Sequence, residues 1–519
     1  MGQWEGKNEM NRLAIAIAAF LVQDLCAADL TGHWVANQPG PGGQGREVSL
    51  WLKSGADQLS TRDGILLHMP AFGGRGGRRG APSGPGGAQT ELLAKRVSTE
   101  KPKPLPPPPP KIRLAPAPNV PYNRLAKTPP MGWNSWNQFR AQVSDKLVRE
   151  TADAMVRNGM KDAGYVYINI DDTWQGKRDE QGVLQPNARF PDMKALADYI
   201  HGKGLKFGIY SSPGLKTCAG YEGSFRHEEQ DARTFAQWGV DYLKYDLCSA
   251  RTVYDLASMP AVFAKMGLAL QASGRPMVYS FSAALPKAAE WAFAAGGNLL
   301  RTGSFGDSYD SMATDGFDHQ RGLENFAGPG HWNDPGVLHI GQGGMNDTES
   351  RTHFTLWCLL AAPLLAGNDL RNVPPAILEI LTNKEAIDVD QDPLGAQATR
   401  VMKEGNLEIW TKPLAKGGYA VGLFNRGAAP ARMILVPGDL GMKYLPQVRD
   451  LWAHEDQPDS DVYIADMPAH GVVLLKVTGY LSGRAMPRKS IRDYATQGEE
   501  TLKRWLRHEI KRSERELGG

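Results

Sequence analysis

The chain has 519 residues, which is long enough for two or three domains and one large core. A hydrophobic share of 41% and a charged share of 22% are typical of a folded globular protein, which argues against a disordered or fibrous chain. The net charge of +3 is too small to indicate a nucleic-acid or membrane-surface partner.

The first residues have the pattern of an export signal. A polar stretch, 1–12, precedes the apolar run Leu13–Val22, and Cys26-Ala27-Ala28 offers a cleavage site of small residues. The run is too short to span a membrane, and a buried helix is the alternative interpretation. We therefore predict a signal peptide over residues 1–28 and export to the periplasm or the extracellular space.

Two further segments precede the main body. Short β-like runs such as Val48–Leu52 predict a small or incomplete β module over residues 29–100, with a disordered Gly/Arg/Pro-rich part at 71–90. The proline run within 104–110 predicts an extended, semi-rigid linker over residues 101–121.

From residue 122 to 396, β-like runs alternate with helical patterns such as Asp145–Ala163. Eight runs over this length predict a (β/α)8 barrel. The runs are Gly132–Trp136, Tyr165–Asp171, Leu205–Ser211, Val240–Asp246, Met277–Ser282, Asn298–Gly303, Gly330–Asp334 and Ala386–Asp390. Alternating segments then predict an antiparallel β-sandwich domain over 397–479, and 480–519 is predicted to be a charged tail that is helical in part.

Lys244 and Asp246 lie on the same face of one predicted strand, because strand side chains alternate between faces. Two charges inside a barrel need partners, and each could be the partner of the other. In that arrangement Lys244 would depress the pKa of Asp246, as a nucleophilic or electrostatic role requires. A structural ion pair at a strand end is the alternative.

Polar or aromatic residues gather where the predicted strands end. In a (β/α)8 barrel the C-terminal strand ends form the active site, so these residues are candidates for one site. They are Trp136, Asp171, Asp172, Tyr210, Asp246, Ser282, Arg301 and Asp334.

Four cysteines are present, and three would remain after removal of the signal peptide. Cys218 and Cys248 each follow a predicted strand, which favours a disulfide at one barrel rim in an oxidising compartment. Cys358 lies in an apolar run typical of a buried thiol. No spacing of cysteines and histidines resembles a metal site.

Six motifs occur in an order and at a spacing that resemble glycoside hydrolase family 27, the α-galactosidase and α-N-acetylgalactosaminidase family of clan D. The resemblance covers residues 122–478 and implies a retaining glycosidase on a (β/α)8 barrel with a C-terminal β domain and no metal or organic cofactor. The motifs are Pro129–Trp136, Ile170–Trp174, Lys216–Gly220, Lys244–Cys248, Gly330–Pro335 and Asp390–Gly395.

The resemblance implies that Asp246 is the nucleophile and that an aspartate shortly after Arg301 is the acid/base. The spacing after Arg301 is two residues longer than is usual in the family. Counting from the arginine ends on Phe305, which has no proton to donate, whereas the downstream Asp-Ser pair selects Asp307. Asp310 is the alternative acid/base.

The resemblance also implies a sugar-binding set. Asp171 and Asp172 would bond the O4 and O6 hydroxyls of a galactose-like sugar, with turn or helix-cap roles as the alternative. Trp136 would offer its flat face to the sugar ring, with a core position as the alternative. The implied pocket is completed by Tyr210, Lys244, Ser282 and Arg301.

Two departures from the family pattern concern the pocket. Gly336 stands where many members have an aspartate, which removes a carboxylate near the rim. At the fifth strand end, Ser282 matches the pattern that accompanies a 2-acetamido sugar, whereas Leu285 matches the pattern that accompanies a 2-hydroxyl. The preference at the sugar's 2-position therefore stays open, although a side chain as large as Leu285 favours galactose.

The leading hypothesis is a retaining α-galactosidase that releases terminal α-linked galactose from oligosaccharides or glycoconjugates. Alternatives on the same scaffold are α-N-acetylgalactosaminidase, β-L-arabinopyranosidase and isomalto-dextranase-like activity. A sugar-binding barrel without catalytic activity is the alternative from another class.

Overall fold

The computed structural model describes residues 110–478, except 283, 284, 286, 305, 343, 443, 444, 446 and 458–461, and four earlier strands. The predicted signal peptide, the stretch 71–88 and the predicted tail 480–519 lie outside the described residues. The chain divides into two compact units, Met1–Pro110 and Lys111–Gly519. None of the helices described is long and apolar enough to cross a membrane.

The first unit contains an antiparallel sheet within the predicted β module. Strands are numbered along the chain, and the order across this sheet is β2-β1-β4-β3. Its strands are β1 (Gly32–Pro39), β2 (Gly45–Leu52), β3 (Ile65–Pro70) and β4 (Gln89–Ser98).

The second unit begins with a segment that packs onto the barrel, within the predicted linker. Ile112 pairs with Tyr254, and Val120 is buried in the main core. A hairpin of β7 (Gln175–Arg178) and β8 (Leu184–Pro186) follows the second barrel strand.

Eight parallel strands form the barrel sheet, in the order β13-β12-β11-β10-β9-β6-β5-β14. Leu338, just beyond β13, bridges to Ala366 in β14 and so joins the two ends of the sheet. The predicted barrel is thereby confirmed. Its strands are β5 (Met131–Asn134), β6 (Tyr167–Asn169), β9 (Lys206–Ser211), β10 (Tyr242–Asp246), β11 (Val278–Ser282), β12 (Leu299–Arg301), β13 (Trp332–Asp334) and β14 (Leu364–Ala366).

Helices separate most barrel strands, and side-chain caps define where several begin. Ser144 accepts a hydrogen bond from the backbone of Leu147, and Asp192 accepts one from Ala195, so each satisfies an otherwise unpaired N–H group. The α-helices are Trp136–Phe139, Asp145–Arg157, Met193–Gly202, Glu228–Trp238, Ala250–Val253, Met259–Ala272, Tyr309–Ala313, Asp347–Leu360, Pro375–Thr382 and Lys384–Asp390, and a π-helix spans Thr314–Asp318. Short 3-10 helices are Arg140–Gln142, Leu256–Ser258, Ala288–Glu290, Glu324–Phe326, Leu370–Asn372 and Pro437–Leu440.

The prediction of the eighth barrel strand was wrong. Residues 386–390 belong to the helix Lys384–Asp390, which Asn383 caps by accepting a hydrogen bond from Ala386. The eighth strand is instead Leu364–Ala366, which pairs in parallel with β5. It is three residues long, too short to show the alternation by which strands are recognised.

The C-terminal part forms two antiparallel sheets, as predicted. β15-β16-β17-β22-β19-β20 make the larger sheet, and β18 pairs with β21 in the smaller one. Leu407 and Val421 of the larger sheet share a hydrophobic cluster with Met433 and Leu435 of the smaller one, so the two sheets enclose one core. The strands are β15 (Thr399–Glu404), β16 (Leu407–Pro413), β17 (Tyr419–Asn425), β18 (Ala431–Leu435), β19 (Gln447–Asp450), β20 (Glu455–Asp456), β21 (Tyr463–Met467) and β22 (Val472–Thr478).

Candidate active site

The register of the barrel strands brings the predicted polar residues to one rim. Asp246 ends β10 directly opposite Ser282, the last residue of β11. Lys244 lies opposite Tyr210 of β9 on the other side of β10. Arg301 and Asp334 face each other in the same way at the ends of β12 and β13.

Lys244 is paired with Asp171 rather than with Asp246. Its Nζ lies 2.7 Å from Oδ2 of Asp171, and Asn134 donates to the same oxygen at 2.8 Å. The prediction that Lys244 and Asp246 are each other's partner was wrong, because the segment that follows β6 supplies a nearer carboxylate. Asp171 is therefore buried and hydrogen-bonded at the barrel rim, next to Lys244, which itself lines the pocket.

The Asp246 carboxylate is buried and has two donors. The hydroxyl of Tyr210 donates to Oδ2 at 3.0 Å, and the backbone N–H of Leu247 donates to Oδ1 at 2.7 Å. Burial raises the pKa of Asp246, although the positive charge of Lys244 and both donors oppose that increase. The expected depression of this pKa was therefore wrong in direction, since desolvation outweighs the lysine.

Asp172 lies beside Asp171 and is held by backbone N–H groups. Ala219 donates to Oδ2 at 2.7 Å, and Thr173 donates to Oδ1 at 2.7 Å. Burial raises the pKa of Asp172 to about 6, with a smaller contribution from the negative charge of Asp171. The two consecutive carboxylates thus have different surroundings.

A pocket opens at this rim. Trp136 is half-buried in its wall, not in the core. Asp307 is exposed and lines the pocket beside Arg301, whereas Asp310 lies in the first turn of the helix Tyr309–Ala313, outside the pocket lining within the described chain. The lining residues are Trp136, Asn137, Gln138, Arg140, Lys244, Arg301, Asp307, Val337, His339 and Gln342.

His339 belongs to this wall, although it was not among the residues predicted for the site. It is nearly buried, and Asn137 lies 3.1 Å from its ring. Burial, followed by the positive charge of Arg301, lowers the pKa of His339 to about 4, so the ring is neutral at ordinary pH. A polar residue five positions beyond the end of a barrel strand is the signal that would have identified it.

Two positions that depart from the family pattern have defined surroundings. The hydroxyl of Ser282 is buried and has no hydrogen-bond partner within the described residues. At Gly336, whose φ is +142°, a Cβ atom would lie 2.8 Å from Nη2 of Arg301. The glycine therefore leaves room for the arginine side chain at the rim.

A disulfide joins Cys218 and Cys248, the pair that the sequence predicted, and Cys358 is a buried free thiol. The Sγ atom of Cys248 is 3.6 Å from the hydroxyl of Tyr210, which also bonds Asp246. The disulfide thus lies directly beside the buried carboxylate.

Comparison with known proteins agrees with this geometry. The sequence profile described as alpha galactosidase A matches residues 128–392, and the profile of the alpha galactosidase C-terminal beta sandwich domain matches residues 404–477. The chain belongs to this family. The resemblance to glycoside hydrolase family 27 is thereby confirmed, as is the arrangement of a barrel followed by a β-sandwich.

Individual members of the α-galactosidase family are similar over most of their length. The α-galactosidase A of Cellvibrio japonicus is 43% identical over 387 residues, which is 69% of this chain and 93% of that protein. The α-N-acetylgalactosaminidase of Gallus gallus is 42% identical over 59% of this chain and 80% of its own. The crystal structure of α-galactosidase I from Mortierella vinacea aligns with a TM-score of 0.63 at 35% identity, over 69% of this chain and all of that one.

Proposed function

We propose that this glycoside hydrolase releases terminal α-linked D-galactose with retention of configuration, using Asp246 as nucleophile and Asp307 as acid/base. The observation that carries the proposal is the placement of Asp246, a buried carboxylate that receives hydrogen bonds from Tyr210 and Leu247 at the end of β10. The names of the relatives, most of them α-galactosidases, support the sugar.

Two displacements account for retention. In the first, the Asp246 carboxylate attacks the anomeric carbon while the Asp307 carboxyl gives its proton to the glycosidic oxygen, and the aglycone leaves as an alcohol. In the second, Asp307 takes a proton from water, the water oxygen attacks the same carbon, and the ester bond to Asp246 breaks. The product is α-galactose, and both aspartates return to their starting states.

The residues around Asp246 suit the hydroxyls of one sugar. Asp171 and Asp172 carry acceptor oxygens close to Lys244, which lines the pocket, and their bonds to Lys244 and to Ala219 fix those oxygens before substrate arrives. Trp136 offers an apolar face at the wall, and Arg301 and Asp307 flank the opening. We infer that the carboxylates bind the O4 and O6 edge of galactose.

The decisive experiment follows product stereochemistry. With p-nitrophenyl α-galactoside, NMR should show α-galactose as the first product. Asp246→Ala should abolish turnover and, with added azide, form β-galactosyl azide, whereas Asp307→Ala with azide should form α-galactosyl azide. Asp310→Asn is the matched control and should retain activity. Residual turnover by Asp246→Ala without azide, or β-galactose as first product, would contradict the proposal.

Preference at the 2-position decides between this activity and α-N-acetylgalactosaminidase. Ser282 is small enough to leave space for an acetamido group, and the Gallus gallus relative is named for that sugar. Leu285 is partly buried against the cluster that contains Tyr254 and Met259. We propose that galactosides are preferred, because most of the relatives are named α-galactosidases. The value of kcat/KM on p-nitrophenyl α-galactoside should therefore exceed that on the corresponding N-acetylgalactosaminide.

We also propose that the protein is exported after cleavage near Ala28. The disulfide beside Asp246 supports this, because such bonds persist in oxidising compartments. N-terminal sequencing of the protein from culture medium or periplasm should begin near residue 29. An intact N-terminus on active protein from the cytoplasm would contradict export.

A further inference from the structure

The carboxylate of Asp307 has no hydrogen-bond partner within the described part of the chain, and it is exposed. Its location therefore depends on the backbone that carries it. That backbone runs from the end of β12 at Arg301 through a loop to the helix Tyr309–Ala313 and the π-helix Thr314–Asp318. Whatever holds these helices also fixes the position of Asp307 in the pocket lining.

Hydrogen bonds inside the segment connect the loop to its helices. Asp315 accepts from the backbone N–H of Ser304 at 2.8 Å and from its hydroxyl at 2.6 Å. Ser308 and Ser311 form a reciprocal cap at the start of the helix. The loop and the two short helices therefore form a connected unit, which needs an anchor outside itself.

The C-terminal β domain supplies one anchor through His470. The rings of Tyr309 and His470 are stacked, with centroids 3.9 Å apart and an angle of 9° between their planes. Tyr309 lies two residues after Asp307 and is buried. Stacking on His470 therefore restrains the helix that begins two residues after Asp307.

A backbone turn and two hydrogen bonds hold His470 in place. It occupies the turn between β21 and β22 with a φ of +57°, a conformation that non-glycine residues seldom adopt. Glu349 lies 2.7 Å from its Nδ1, and Thr352 donates to its carbonyl oxygen at 2.6 Å. Both of these residues lie on the barrel helix Asp347–Leu360, so the histidine ring is held between the two domains.

A second anchor comes from Arg426, at the end of β17. Its guanidinium bonds both carboxylate oxygens of Asp318, at 3.1 and 3.0 Å, and lies 4.8 Å from the ring centroid of Phe317. The same guanidinium reaches the buried Glu408 at 2.9 Å. The far end of the segment is therefore attached to the same domain as the near end.

We propose that the C-terminal β domain positions the acid/base, with His470 as the positioning residue that acts through Tyr309. The inference rests on the proposed role of Asp307. His470 reaches neither the pocket lining nor the reacting atoms, so its effect is on where the Asp307 carboxyl stands. The β domain is then part of the catalytic apparatus.

This role has a specific kinetic signature. A displaced acid delivers its proton poorly, and that matters only when the aglycone needs a proton to leave. Phenol and alkyl alcohols need one, whereas 2,4-dinitrophenol leaves readily as an anion. Replacing a residue with a merely structural role would lower kcat/KM equally for all substrates.

The test measures kcat/KM of the full-length enzyme on phenyl, p-nitrophenyl and 2,4-dinitrophenyl α-galactosides. His470→Asn tolerates the left-handed turn and can still bond Glu349, but it has no ring to stack. We expect kcat/KM of this variant to fall roughly tenfold on the phenyl galactoside, because a shift of the Asp307 carboxyl by under about an ångström impairs proton transfer. On the dinitrophenyl galactoside kcat/KM should fall less than about twofold. His470→Phe restores a flat ring but loses the bond to Glu349, so it should recover part of the loss.

Three further variants complete the design. Tyr309→Phe should match wild type, because the Tyr309 hydroxyl has no partner within the described residues. Arg432→Ala removes an exposed ion pair with Asp466 in the same β domain and should leave kcat/KM unchanged on all three galactosides. Tyr309→Leu removes the stack from the other side and serves as the measurement if His470→Asn does not fold, as judged by circular dichroism.

The outcomes separate this inference from the proposed function. Suppose that Asp307→Ala loses more kcat/KM on substrates with poor leaving groups, whereas His470→Asn loses kcat/KM equally on all three substrates or not at all. The positioning role of His470 is then wrong, and the acid/base assignment stands. If Asp307→Ala itself shows no dependence on leaving group, the acid/base assignment fails and the inference fails with it.

Discussion

Lys244 donates a hydrogen bond to Asp171 at 2.7 Å and influences Asp246 only through its charge. The lysine thereby connects a carboxylate proposed to hold the sugar with the carboxylate proposed to attack it. One ammonium group serves two acids, one just beyond the end of β6 and one at the end of β10, and β9 lies between these strands.

Replacing Lys244 should change activity most at low pH. Lys244→Met removes the positive charge that opposes the burial-driven rise in the pKa of Asp246, so that pKa should increase further. Because attack requires ionised Asp246, the acid limb of the kcat/KM profile should move to higher pH. We expect a loss of about 100-fold at pH 5 and a smaller loss at pH 8.

The control for this prediction is Lys384→Met, which removes a lysine from an exposed helix pair with Asp388. Its pH profile should match that of the wild type. A Lys244→Met profile that is lowered uniformly, with the acid limb unmoved, would show that the charge does not act on Asp246.

The disulfide should affect substrate binding as well as stability. Cys218 adjoins Ala219, whose N–H donates to Asp172, so the bridge to Cys248 holds one donor of the proposed sugar-binding carboxylate. Cys218→Ser/Cys248→Ser should raise KM more than it lowers kcat, and should cost about 3 kcal/mol in unfolding free energy. Steady-state kinetics and denaturant unfolding measure the two effects. A variant with lowered stability and unchanged KM would limit the bridge to a structural role.

Strand alternation and polar strand ends were enough to predict the barrel and the rim at which its polar residues gather. They failed at Leu364–Ala366, where three residues after a proline carry no periodic pattern. They also failed at 386–390, where apolar and acidic residues alternate as in a strand but belong to a helix that Asn383 caps. Short elements are fixed by pairing with distant strands, and that information is absent from the local sequence.

The candidate site shows the same limit. Alternation correctly placed Lys244 and Asp246 near each other, yet the lysine's partner comes from a position 73 residues earlier in the chain. The direction of the Asp246 pKa could not be deduced either, because it depends on how completely the carboxylate is buried. The sequence identified which residues meet; packing decides which of them bond.

A buried acid in the C-terminal domain predicts a stability that falls as pH rises. Burial raises the pKa of Asp439 to about 7, against an ordinary value of about 3.9. Between these two values the unfolded chain has released the proton and the folded chain retains it, so unfolding free energy should decrease with pH across that window. Below about pH 4 and above about pH 7 this contribution should be constant.

Asp439→Asn should remove that dependence. An asparagine oxygen can still accept the hydrogen bond from the Val436 N–H, which Asp439 accepts at 3.0 Å. The variant should therefore be more stable than wild type at pH 8, by about 1–4 kcal/mol, and similar at pH 4. Urea unfolding at both values checks this. Equal stabilities at pH 8 would show that Asp439 ionises in the fold without penalty.

The unpartnered hydroxyl of Ser282 yields the last prediction. It lies directly across from Asp246 in the register of β10 and β11, it is buried, and it has no hydrogen-bond partner within the described residues. A buried hydroxyl without a partner is costly, so we expect a hydroxyl of a sugar bound at Asp246 to be its partner. By the family resemblance that hydroxyl is at the 2-position of the sugar.

Comparing two enzymes on two substrates isolates this bond. Ser282→Ala should raise KM for p-nitrophenyl α-galactoside about fivefold, since one neutral hydrogen bond contributes about 1 kcal/mol. With the 2-deoxygalactoside, which lacks the partner hydroxyl, wild type and Ser282→Ala should have the same KM. If KM of the variant rises equally for both substrates, Ser282 supports the strand end without touching the sugar. If KM of the variant rises for neither substrate, the 2-hydroxyl is bound by other residues, and Ser282 only provides space.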